Sequence, residues 1–280
     1  MNSCEKKSLQ ITACKVRMDV IEEIHSAGSG HPGGSLSAAD IVTALYFREM
    51  RVDPQNPRMK GRDKFVLSKG HAAPVQYAAL AEKGFSPREE LLTLRKLGSR
   101  LQGHPNMKKL PGIEMSTGSL GQGFAVCVGM ALAGKLDNDP GRIYTLLGDG
   151  ELEEGIVWEA AMACAHYKLD NLCAIVDWNG LQIDGPNDKV MSVSPIDEKF
   201  AAFGFNVLTA DGHDFAQLFD AFDKARACKG KPTVIIAKTH KGQGVSFMED
   251  EAGWHGKAPN DEQARQAMDE LAAEEREGEQ

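Results

Sequence analysis

Between Ile143 and Lys238, short apolar segments alternate with longer segments of helical periodicity, and this alternation restricts the fold more than any other feature. The predicted strands are Ile143–Leu147, Leu172–Asp177, Val207–Ala210 and Thr233–Lys238, and the predicted helices between them are Glu153–Tyr167 and Phe215–Cys228. Apolar strands that alternate with helices are typical of a parallel sheet whose two faces are both covered. The sequence therefore predicts an α/β fold, namely a doubly wound parallel sheet with helices on both faces.

The first half of the chain is predicted to contain further helices separated by a glycine-rich loop. Apolar residues spaced three and four apart predict an amphipathic helix over Leu9–Ala27. The following Gly28–Gly34 (GSGHPGG) is predicted to be a loop through which no helix continues. Ser37–Asp40 matches a capping box and predicts a helix that runs to about Met50.

Three more elements are predicted before Ile143. Ser86–Glu89 (SPRE) has the composition of a second helix start, with a capping serine followed by proline. Lys64–Leu67 is predicted to be a short strand. The glycine cluster Gly112–Gly123 precedes a predicted helix over Phe124–Leu136.

The length of 280 residues predicts one large domain with a C-terminal extension. The alternation of strands and helices stops after about Val245, so we expect a domain over residues 1–245 and an extension over residues 246–280. Within the extension, Asn260–Gln263 (NDEQ) predicts the cap of a charged helix. Glu274–Gln280 is expected to be a solvated acidic tail.

The composition excludes several classes of partner. The chain carries 32 basic and 40 acidic side chains, a net charge of −8, and so lacks the basic surface that nucleic acids require. The longest apolar stretch, around Val126–Gly134, is about half as long as a membrane span, and residues 1–10 hold no apolar signal segment. Six cysteines without a CxxC pair are typical of reduced thiols. We therefore expect a cytoplasmic protein that contacts neither nucleic acid nor membrane.

Polar residues follow two consecutive predicted strands, at the edge where α/β sheets bind ligands. Gly148, Asp149 and Gly150 follow the strand that begins at Ile143, and Asn179 follows the next strand. A carboxylate, an amide oxygen and a backbone carbonyl are ligands that Mg²⁺ accepts when phosphate oxygens complete its shell. Each glycine-containing segment by itself is more typical of an ordinary turn. Their joint placement at two strand ends favours a metal–phosphate site.

Other nucleotide-binding motifs are not found. The sequence holds no P-loop and no glycine-rich dinucleotide motif directly after a strand. The segment Gly118–Gly123 (GSLGQG) comes nearest, although no predicted strand precedes it. Two interpretations of this segment stay open: a helix N-terminus whose free amides bind a polar ligand, or close helix packing through glycine.

Four of the eight histidines lie next to glycine in predicted loops, which indicates imidazoles presented to one cleft. These four are His31, His71, His104 and His255. Their spacing does not match that of a zinc site. Structural roles in helices or at element ends are expected for the other four, which are His25, His166, His213 and His240.

In this order along the chain, the motifs closely resemble those of the N-terminal, diphosphate-binding domain of transketolase. They are Gly28–Gly33 (GSGHPG), Ser68–His71 (SKGH), Gly103–Pro105 (GHP), Thr117–Gly123 (TGSLGQG), Gly148–Glu151 (GDGE) with Asn179, Asp184–Gly185 (DG) and His255–Gly256 (HG). The GDG–Asn pair marks thiamine diphosphate enzymes in general, whereas the histidine motifs are more specific. The resemblance covers roughly residues 9–260.

The resemblance implies a thiamine diphosphate site with a defined set of residues. The implied ligands of Mg²⁺ (or Ca²⁺) are Asp149, Asn179 and the carbonyl of Leu181. The implied cofactor contacts are His71, Gly148, Gly150, Glu151, Asn179 and His255 near the diphosphate, and the backbone of Gly118 and Leu120 at the aminopyrimidine. The implied catalytic residues are His31, His104 and His255, of which His104 is implied to hold the donor ketose. Glu154 and Glu159 are implied to lie at an interface between two cofactor sites, and a solvated acidic face is the alternative for them.

The chain departs from single-chain members of the family in two ways. Ser119 stands where proline is usual and Leu181 where isoleucine is usual, but only backbone atoms are implied to act there. The family's middle domain, which carries the glutamate that activates the pyrimidine and arginines for the substrate phosphate, has no counterpart in this sequence. We therefore expect the N-terminal subunit of a split two-chain transketolase, assembled as α2β2 with a C-terminal subunit that carries the pyrimidine domain.

The implied activity is transfer of a two-carbon ketol unit from a ketose phosphate to an aldose phosphate. One alternative is an α-type subunit of another thiamine diphosphate enzyme, either a 2-oxoacid dehydrogenase or a deoxyxylulose-phosphate synthase-like enzyme, but the histidine motifs disfavour it. A second alternative is a regulatory subunit that binds the cofactor without turnover, and the intact Asp149 and Asn179 disfavour that. The sequence does not name the natural donor and acceptor sugars.

Overall fold

The computed structural model describes residues 1–279, and its centre is a five-stranded sheet in which every neighbouring pair of strands is parallel. The strands are β1 (Lys64–Leu67), β2 (Ile143–Gly148), β3 (Leu172–Trp178), β4 (Leu181–Gln182), β5 (Gly185–Pro186), β6 (Asn206–Asp211) and β7 (Thr233–Lys238). The sheet has the order β1-β2-β3-β7-β6, and β4 and β5 form a separate antiparallel pair. All five predicted strands are confirmed, and β1 and β7 have the predicted bounds.

Ten helices connect and cover these strands in the described part of the chain. They are α1 (Ser3–Ala27), α2 (Pro32–Leu36), α3 (Ala39–Ala44), α4 (Ala73–Lys83), α5 (Gln122–Leu136), α6 (Gly155–His166), α7 (Asn187–Val190), α8 (Ile196–Ala202), α9 (Phe215–Ala227) and α10 (Asp261–Glu279). Short 3₁₀ turns occur at Gly70–Ala72, Arg88–Thr93, Gly150–Glu153 and Ala252–Trp254, and a π-helical turn occurs at Leu45–Glu49.

Alternate residues of the central strands pack against helices on opposite faces of the sheet. In β3, Cys173 and Ile175 join a core cluster that includes residues of α1, α4, α9 and α10. Ala174 and Val176 join a second cluster, formed with α5, α6 and α8. Successive side chains of a strand point to opposite faces, so a strand that is apolar throughout needs cover on both. The predicted doubly wound α/β sheet is confirmed.

The segment predicted to be a glycine-rich loop is partly helical. Pro32–Leu36 forms a short helix that begins with proline, whose ring holds φ near the helical value and whose missing N–H is not needed there. The capping box predicted at Ser37 is wrong, because α3 begins at Ala39 without a side-chain cap and changes to π-helical geometry after Ala44. The Ser37 hydroxyl instead donates to the buried carboxylate of Asp177, 2.6 Å away.

At the second predicted helix start, a helix begins at Arg88, but it is a 3₁₀ helix and the predicted serine cap is wrong. Arg88–Thr93 forms a 3₁₀ turn without a side-chain cap, and the buried Ser86 hydroxyl has no partner among the described residues. The Arg88 guanidinium donates to Asp19 of α1 at 2.7 Å. Arg95 has a φ of 60°, in the left-handed region that an α-helix does not use. Contacts with α1 and this left-handed residue accompany this short helix.

The C-terminal helix begins with a reciprocal cap and packs along the first helix. The Gln263 N–H donates to Asn260 Oδ1 at 2.9 Å, and the Asn260 N–H donates to Gln263 Oε1 at 3.1 Å, so the predicted cap is confirmed. Apolar residues of α10 join the core cluster that α1 lines. The predicted acidic tail is helical as far as Glu279, and Gln280 lies outside the described residues.

Within residues 1–279, no helix combines the length and the apolar character needed to span a bilayer.

Candidate active site

A cleft of about 300 Å³ opens at the carboxyl edge of the sheet, where the ends of β1, β2, β3 and β7 meet. Parallel strands place their carboxyl ends at one edge, which is where α/β sheets bind ligands. The residues that line the cleft include Lys69 after β1, Asp149 after β2, Asn179 after β3 and Lys241 after β7, with His71, Leu120, Gly148, Gly150 and His255.

Asp149 is buried at the floor of this cleft. Its carboxylate accepts hydrogen bonds from the N–H of Gly150 at 2.8 Å and of Gly180 at 2.6 Å, so the two segments predicted to act together are joined directly. Burial, followed by the nearby charge of Asp177, raises the pKa of Asp149 to about 6, although the two hydrogen bonds and Lys241 act in the opposite direction. The two hydrogen bonds and the charge of Lys241 therefore do not fully offset the burial of this carboxylate.

Asn179 and Leu181 add two neutral oxygens next to Asp149. The Asn179 amide oxygen accepts from the Leu181 N–H at 3.1 Å, which closes a local turn, so the ordinary-turn interpretation also describes this segment. The Leu181 carbonyl accepts from the ammonium of Lys241 at 3.1 Å. Carboxylate, amide and carbonyl oxygens are the donor set that a hard divalent cation prefers.

This donor set fits a metal that also binds a ligand, and does not fit a metal held by side chains alone. Among the side chains that the structure describes, no three from His, Cys, Asp or Glu lie close enough together to hold a metal ion. A Cβ built on Gly150 would lie 3.1 Å from Cβ of Gln182, so this glycine keeps the cleft floor open beside Asp149. An anionic ligand with oxygen donors is needed to complete the coordination of a Mg²⁺ ion here.

Three of the four loop histidines converge above this floor. The ring centroids of His31, His71 and His255 lie 5.0–5.5 Å from one another. Burial is the largest cause that lowers their pKa values, to about 4 for His31, about 2 for His71 and about 4 for His255, and neighbouring cations add to it. All three imidazoles are therefore neutral at pH 7. The His31 Nδ1 atom is buried and lacks a hydrogen-bond partner among the described residues.

His104, the fourth loop histidine, lies against Gly118. A Cβ on Gly118 would lie 2.8 Å from the imidazole, and the φ of this residue is +143°, so glycine is required on both grounds. The pKa of His104 is lowered by burial and then by the charge of Arg95. The Tyr77 hydroxyl donates to the His104 carbonyl at 3.2 Å and holds the loop in place.

The glycine segment before α5 favours one of the two interpretations left open by its sequence, namely close packing through glycine. The Gly121 N–H donates to Glu151 at 2.7 Å and the Phe124 N–H donates to Ser68 at 3.1 Å, so these amides are occupied by protein groups. A Cβ on Gly123 would lie 2.7 Å from Cα of Ser68, which requires close packing through glycine. Leu120 lines the cleft.

Glu151, a predicted cofactor contact, is fully engaged by protein donors. Its carboxylate accepts from the Ser68 hydroxyl and from the N–H groups of Gly121 and Gly148. Burial raises its pKa, and these hydrogen bonds lower it in part. The side chain ties the ends of β1 and β2 to the start of α5.

A buried ion pair behind the cleft was missed by sequence reasoning. The carboxylate of Asp177 accepts from Lys69, Thr239 and Ser37, and Lys69 also donates to the Gly34 carbonyl at 2.7 Å. Burial by itself favours the protonated carboxyl, but the Lys69 ammonium and the hydroxyl donors hold the pKa of Asp177 below its usual range. In the sequence, the only indication of this ion pair was the position of Lys69 between two residues of a motif.

The two predicted interface acids are exposed. Glu154 precedes the first turn of α6 and lies at the rim of the cleft, whereas Glu159 lies on the exposed side of α6 outside the cleft lining. Both the interface role and the solvated acidic face are compatible with this exposure.

The similarity to known proteins agrees with this geometry. The family profile described as transketolase, thiamine diphosphate binding domain, matches residues 8–277. The 6-deoxy-6-sulfo-D-fructose transketolase subunit of Clostridium sp. (strain MSTE9) is 46% identical, covering 95% of this chain and 97% of that subunit. An apulose-4-phosphate transketolase subunit of Phocaeicola vulgatus is 44% identical, covering 95% of this chain and 94% of that protein.

Longer relatives share the same fold over part of their length. The transketolase of Homo sapiens is 46% identical, and the match covers 95% of this chain and 42% of the human protein. The crystal structure of transketolase from Campylobacter jejuni matches with a TM-score of 0.88 and 33% identity, covering 96% of this chain and 45% of that one.

The family profile and the fold identify a thiamine diphosphate-binding domain of the transketolase type. The chain belongs to the transketolase family. It is a thiamine diphosphate-dependent, transketolase-type transferase subunit that corresponds to the N-terminal part of longer members, so the resemblance inferred from the motifs is confirmed.

Proposed function

We propose that this chain is the diphosphate-binding half of a two-chain transketolase, which transfers a two-carbon ketol unit from a ketose phosphate to an aldose phosphate. The observation that carries the proposal is the convergence of His31, His71 and His255 above the oxygens of Asp149 and Leu181. The two bacterial relatives covered almost end to end are both named as subunits. A C-terminal subunit with the pyrimidine domain is the proposed partner.

In the proposed site, Asp149, Asn179 and the Leu181 carbonyl hold Mg²⁺ (or Ca²⁺). His71, His255 and the backbone at Gly148 and Gly150 would bind the diphosphate. The backbone of Gly118 and Leu120 would bind the aminopyrimidine. When bound, thiamine diphosphate supplies the nucleophilic carbon that adds to the ketose carbonyl.

The histidines are proposed to form hydrogen bonds with the substrate and to transfer its protons. A neutral imidazole can donate a proton through one nitrogen and accept one through the other, which suits hydroxyl and carbonyl groups at pH 7. We assign His31 and His255 to the reacting carbonyl oxygen, where donors stabilise developing negative charge. His104 is assigned to a hydroxyl of the donor ketose, and its lowered pKa keeps it neutral.

Glu151 is proposed to hold neighbouring segments of the site in place, because its carboxylate oxygens already accept hydrogen bonds from Ser68, Gly121 and Gly148. Residues 246–280 are proposed as an extension that supplies His255 to the cleft and packs α10 against α1. Glu154 and Glu159 are proposed to meet their counterparts across a two-fold axis in an α2β2 assembly. The cytoplasm stays the expected compartment.

The donor and acceptor are proposed to be sugars with an anionic end, such as a phosphate. Relatives named for 6-deoxy-6-sulfo-D-fructose and for apulose-4-phosphate are 46% and 44% identical to this chain, so sequence identity does not select between these sugars. Pentose phosphates are the first substrates to test.

The test combines the purified chain with the protein encoded beside it, thiamine diphosphate and Mg²⁺. A coupled assay follows ketol transfer from xylulose 5-phosphate to ribose 5-phosphate, and then from sulfonated and branched ketoses. We expect transfer by the pair and none by the chain alone. Full activity of the isolated chain would overturn the two-chain proposal. Cofactor binding by the pair without turnover of any ketose would favour the regulatory alternative.

A further inference from the structure

His213 joins the loop after β6 to the segment after β7. Its Nδ1 atom lies 2.7 Å from the carboxylate of Asp40, and its Nε2 atom accepts the N–H of His240 at 3.0 Å. A backbone N–H can only donate, so Nε2 carries no proton and Nδ1 carries one. The imidazole is therefore fixed as a single neutral tautomer, with its donor on Asp40 and its acceptor on the backbone after β7.

Asp40 is held in the form that this tautomer needs. Its carboxylate also accepts from the guanidinium of Arg17, and the two residues are buried, at 5% and 3% exposure. Burial by itself would raise the pKa of Asp40, but the charge of Arg17 and the hydrogen bond from His213 hold it below its usual range. An ionised carboxylate only accepts hydrogen bonds, which again assigns the proton of His213 to Nδ1.

The preceding glycine holds the same loop against the same segment. The Gly212 N–H donates to the Lys238 carbonyl at 2.7 Å, and a Cβ built on this glycine would collide with the side chain of Thr239. The Thr239 hydroxyl in turn donates to the carboxylate of Asp177 behind the cleft. Two consecutive residues, Gly212 and His213, thus fix the backbone where it leaves β7.

On one side, the segment after β7 holds the helix that follows His31. The Gly242 N–H donates to the carbonyl of Gly33 at 3.0 Å, and Gly33 belongs to α2, which begins directly after His31. A Cβ built on Gly242 would collide with the carbonyl of Met248, so the backbone here is tightly enclosed. A shift of the backbone at His240 therefore reaches α2 through one hydrogen bond.

On the other side, the same segment holds the loop that carries His255. The Asp250 N–H of that loop donates to the Lys241 carbonyl at 2.8 Å. The ring centroids of His31 and His255 lie 5.5 Å apart. Residues 239–242 are therefore bonded to both of the chain segments that present these two histidines to the cleft.

We propose that His213 is a positioning residue of the site: through the N–H of His240 it fixes residues 239–242, which keep His31 and His255 in place relative to each other. This inference rests on the proposed function, because it takes His31 and His255 as the residues that act on the ketose. His213 lies outside the cleft lining, so it acts on the reaction through this backbone.

A small movement of this backbone is enough to affect the reaction. Reacting groups need near-exact placement, and a displacement of about 1 Å costs about a hundredfold in rate. Binding of the ketose depends less on this segment, because His104, which is assigned to the donor hydroxyl, lies in a different loop. The expected signature of a lost contact at His213 is therefore a lower kcat with little change in KM.

Two substitutions separate the two hydrogen bonds of His213. Asparagine reaches as far as Nδ1 and retains a donor for Asp40, but it has no atom at the place of Nε2. Glutamine reaches as far as Nε2 and retains an acceptor for the N–H of His240, but it has no donor at the place of Nδ1. Both variants are assembled with the partner chain and assayed with xylulose 5-phosphate, or with whichever tested ketose the native pair turns over.

We expect His213→Asn to lower kcat at least about tenfold while the KM for the ketose changes less than about threefold. His213→Gln should keep kcat within about threefold of the native value, because the contact with His240 is restored. His166→Asn, at the exposed end of α6, is the matched control and should not differ from the native enzyme. Equal losses of kcat in the two His213 variants, or a native kcat in His213→Asn, would overturn the inference.

The native chain supplies a second test that requires no variant to fold. A multiple-bond ¹H–¹⁵N correlation spectrum of the histidine-labelled full chain at pH 7 reports the tautomer of His213, and hydrogen exchange reports the protection of the His240 N–H. We expect the Nδ1–H tautomer and a protected amide. Another protonation state of His213, or an unprotected His240 N–H, would overturn the inference whatever the kinetics show.

The native pair separates failure of this inference from failure of the proposed function. If the native pair transfers a ketol unit and His213→Asn transfers it equally well, the positioning role is wrong and the proposed function stands. If the native pair transfers no ketol unit from any tested ketose, the proposed function is wrong and the inference falls with it.

Discussion

The Ser68 hydroxyl donates to the buried carboxylate of Glu151, although 83 positions separate the two residues in the chain. The same hydroxyl oxygen accepts from the N–H of Phe124 at 3.1 Å. One small side chain thereby joins the end of β1, the turn after β2 and the first turn of α5. These are the elements that form one wall of the cleft.

Substitution Ser68→Ala is expected to destabilise the fold. It leaves the Phe124 N–H without an acceptor and removes one donor from Glu151, and a buried polar group without a partner costs about 1–3 kcal/mol. The free energy of unfolding in urea, extrapolated to water, measures this loss. Ser192→Ala, at an exposed serine, should stay within about 0.5 kcal/mol of the native chain. A Ser68→Ala variant as stable as the control would show that the junction does not contribute to stability.

Substitution Asp149→Ala is expected to abolish metal-dependent cofactor binding without unfolding the chain. The diphosphate then lacks the carboxylate-bound metal that compensates its charge, and an uncompensated buried charge costs several kcal/mol, so affinity should fall by about a hundredfold or more. Calorimetric titration with thiamine diphosphate at fixed Mg²⁺ measures the change, with Asp188→Ala on the exposed α7 as control. Unchanged affinity in Asp149→Ala would contradict the assignment of this carboxylate.

Substitution His104→Ala is expected to weaken binding of the donor ketose more than binding of the acceptor aldose. A hydrogen bond left unmade in a closed site costs about 1–3 kcal/mol, so the KM for the ketose should rise about five- to a hundredfold. Steady-state kinetics of the assembled enzyme, varying one sugar at a time, separate the two effects. The control is His166→Ala, at an exposed histidine at the end of α6. Equal increases for both sugars would refute a specific contact with the donor.

The three buried histidines of the cleft are expected to reduce the unfolding free energy as the pH is lowered from about 6.5 towards 4, whereas the buried acids with raised pKa values, Asp19, Asp149 and Glu151, act in the opposite direction. The folded-state pKa of His71 is depressed to about 2, so in this range the unfolded chain binds a proton that the folded chain excludes. The stabilisation is therefore complete above the unfolded pKa and is lost as the pH falls, by up to about 1.4 kcal/mol per pH unit for each such histidine. His31 and His255, with pKa values lowered to about 4, add to the same slope.

Urea unfolding at a series of pH values measures this dependence. Between pH 6 and pH 4, the slope of stability against pH should be lower in His71→Asn than in the native chain by about one proton. His166→Asn, at the exposed end of α6, should retain the native slope. A His71→Asn variant that retains the native slope would refute the burial of a neutral imidazole at this position.

Local patterns predicted the sheet and the longer helices well. The strand bounds Lys64–Leu67 and Thr233–Lys238 coincide with the structure because apolar residues there are bounded by polar residues and turns. Two predicted serine caps were wrong. Ser37 and Ser86 are compatible with a helix cap in the sequence, but the Ser37 hydroxyl bonds to Asp177 and the Ser86 hydroxyl has no partner among the described residues.

The candidate site was predictable in part. Asp149 and Asn179 were placed at one edge because the carboxyl ends of parallel strands always coincide, and the loop histidines followed from their glycine neighbours. The lysines of the cleft were missed, because Lys69 and Lys241 occupy positions where a sequence predicts solvent. Their burial depends on Asp177 and on Gly33, which lie on other elements.

By itself the sequence determined that this chain forms a doubly wound sheet and that its glycine, histidine and acidic motifs lie at the carboxyl edge, since strand direction and periodicity are local properties. Only the tertiary structure decided which polar groups compensate one another: Lys69 pairs with Asp177, Ser68 with Glu151, and Lys241 with the Leu181 carbonyl. Hydrogen bonds and ion pairs act over a few ångströms, and residues far apart in the chain come within that distance only when the sheet and its helices have packed.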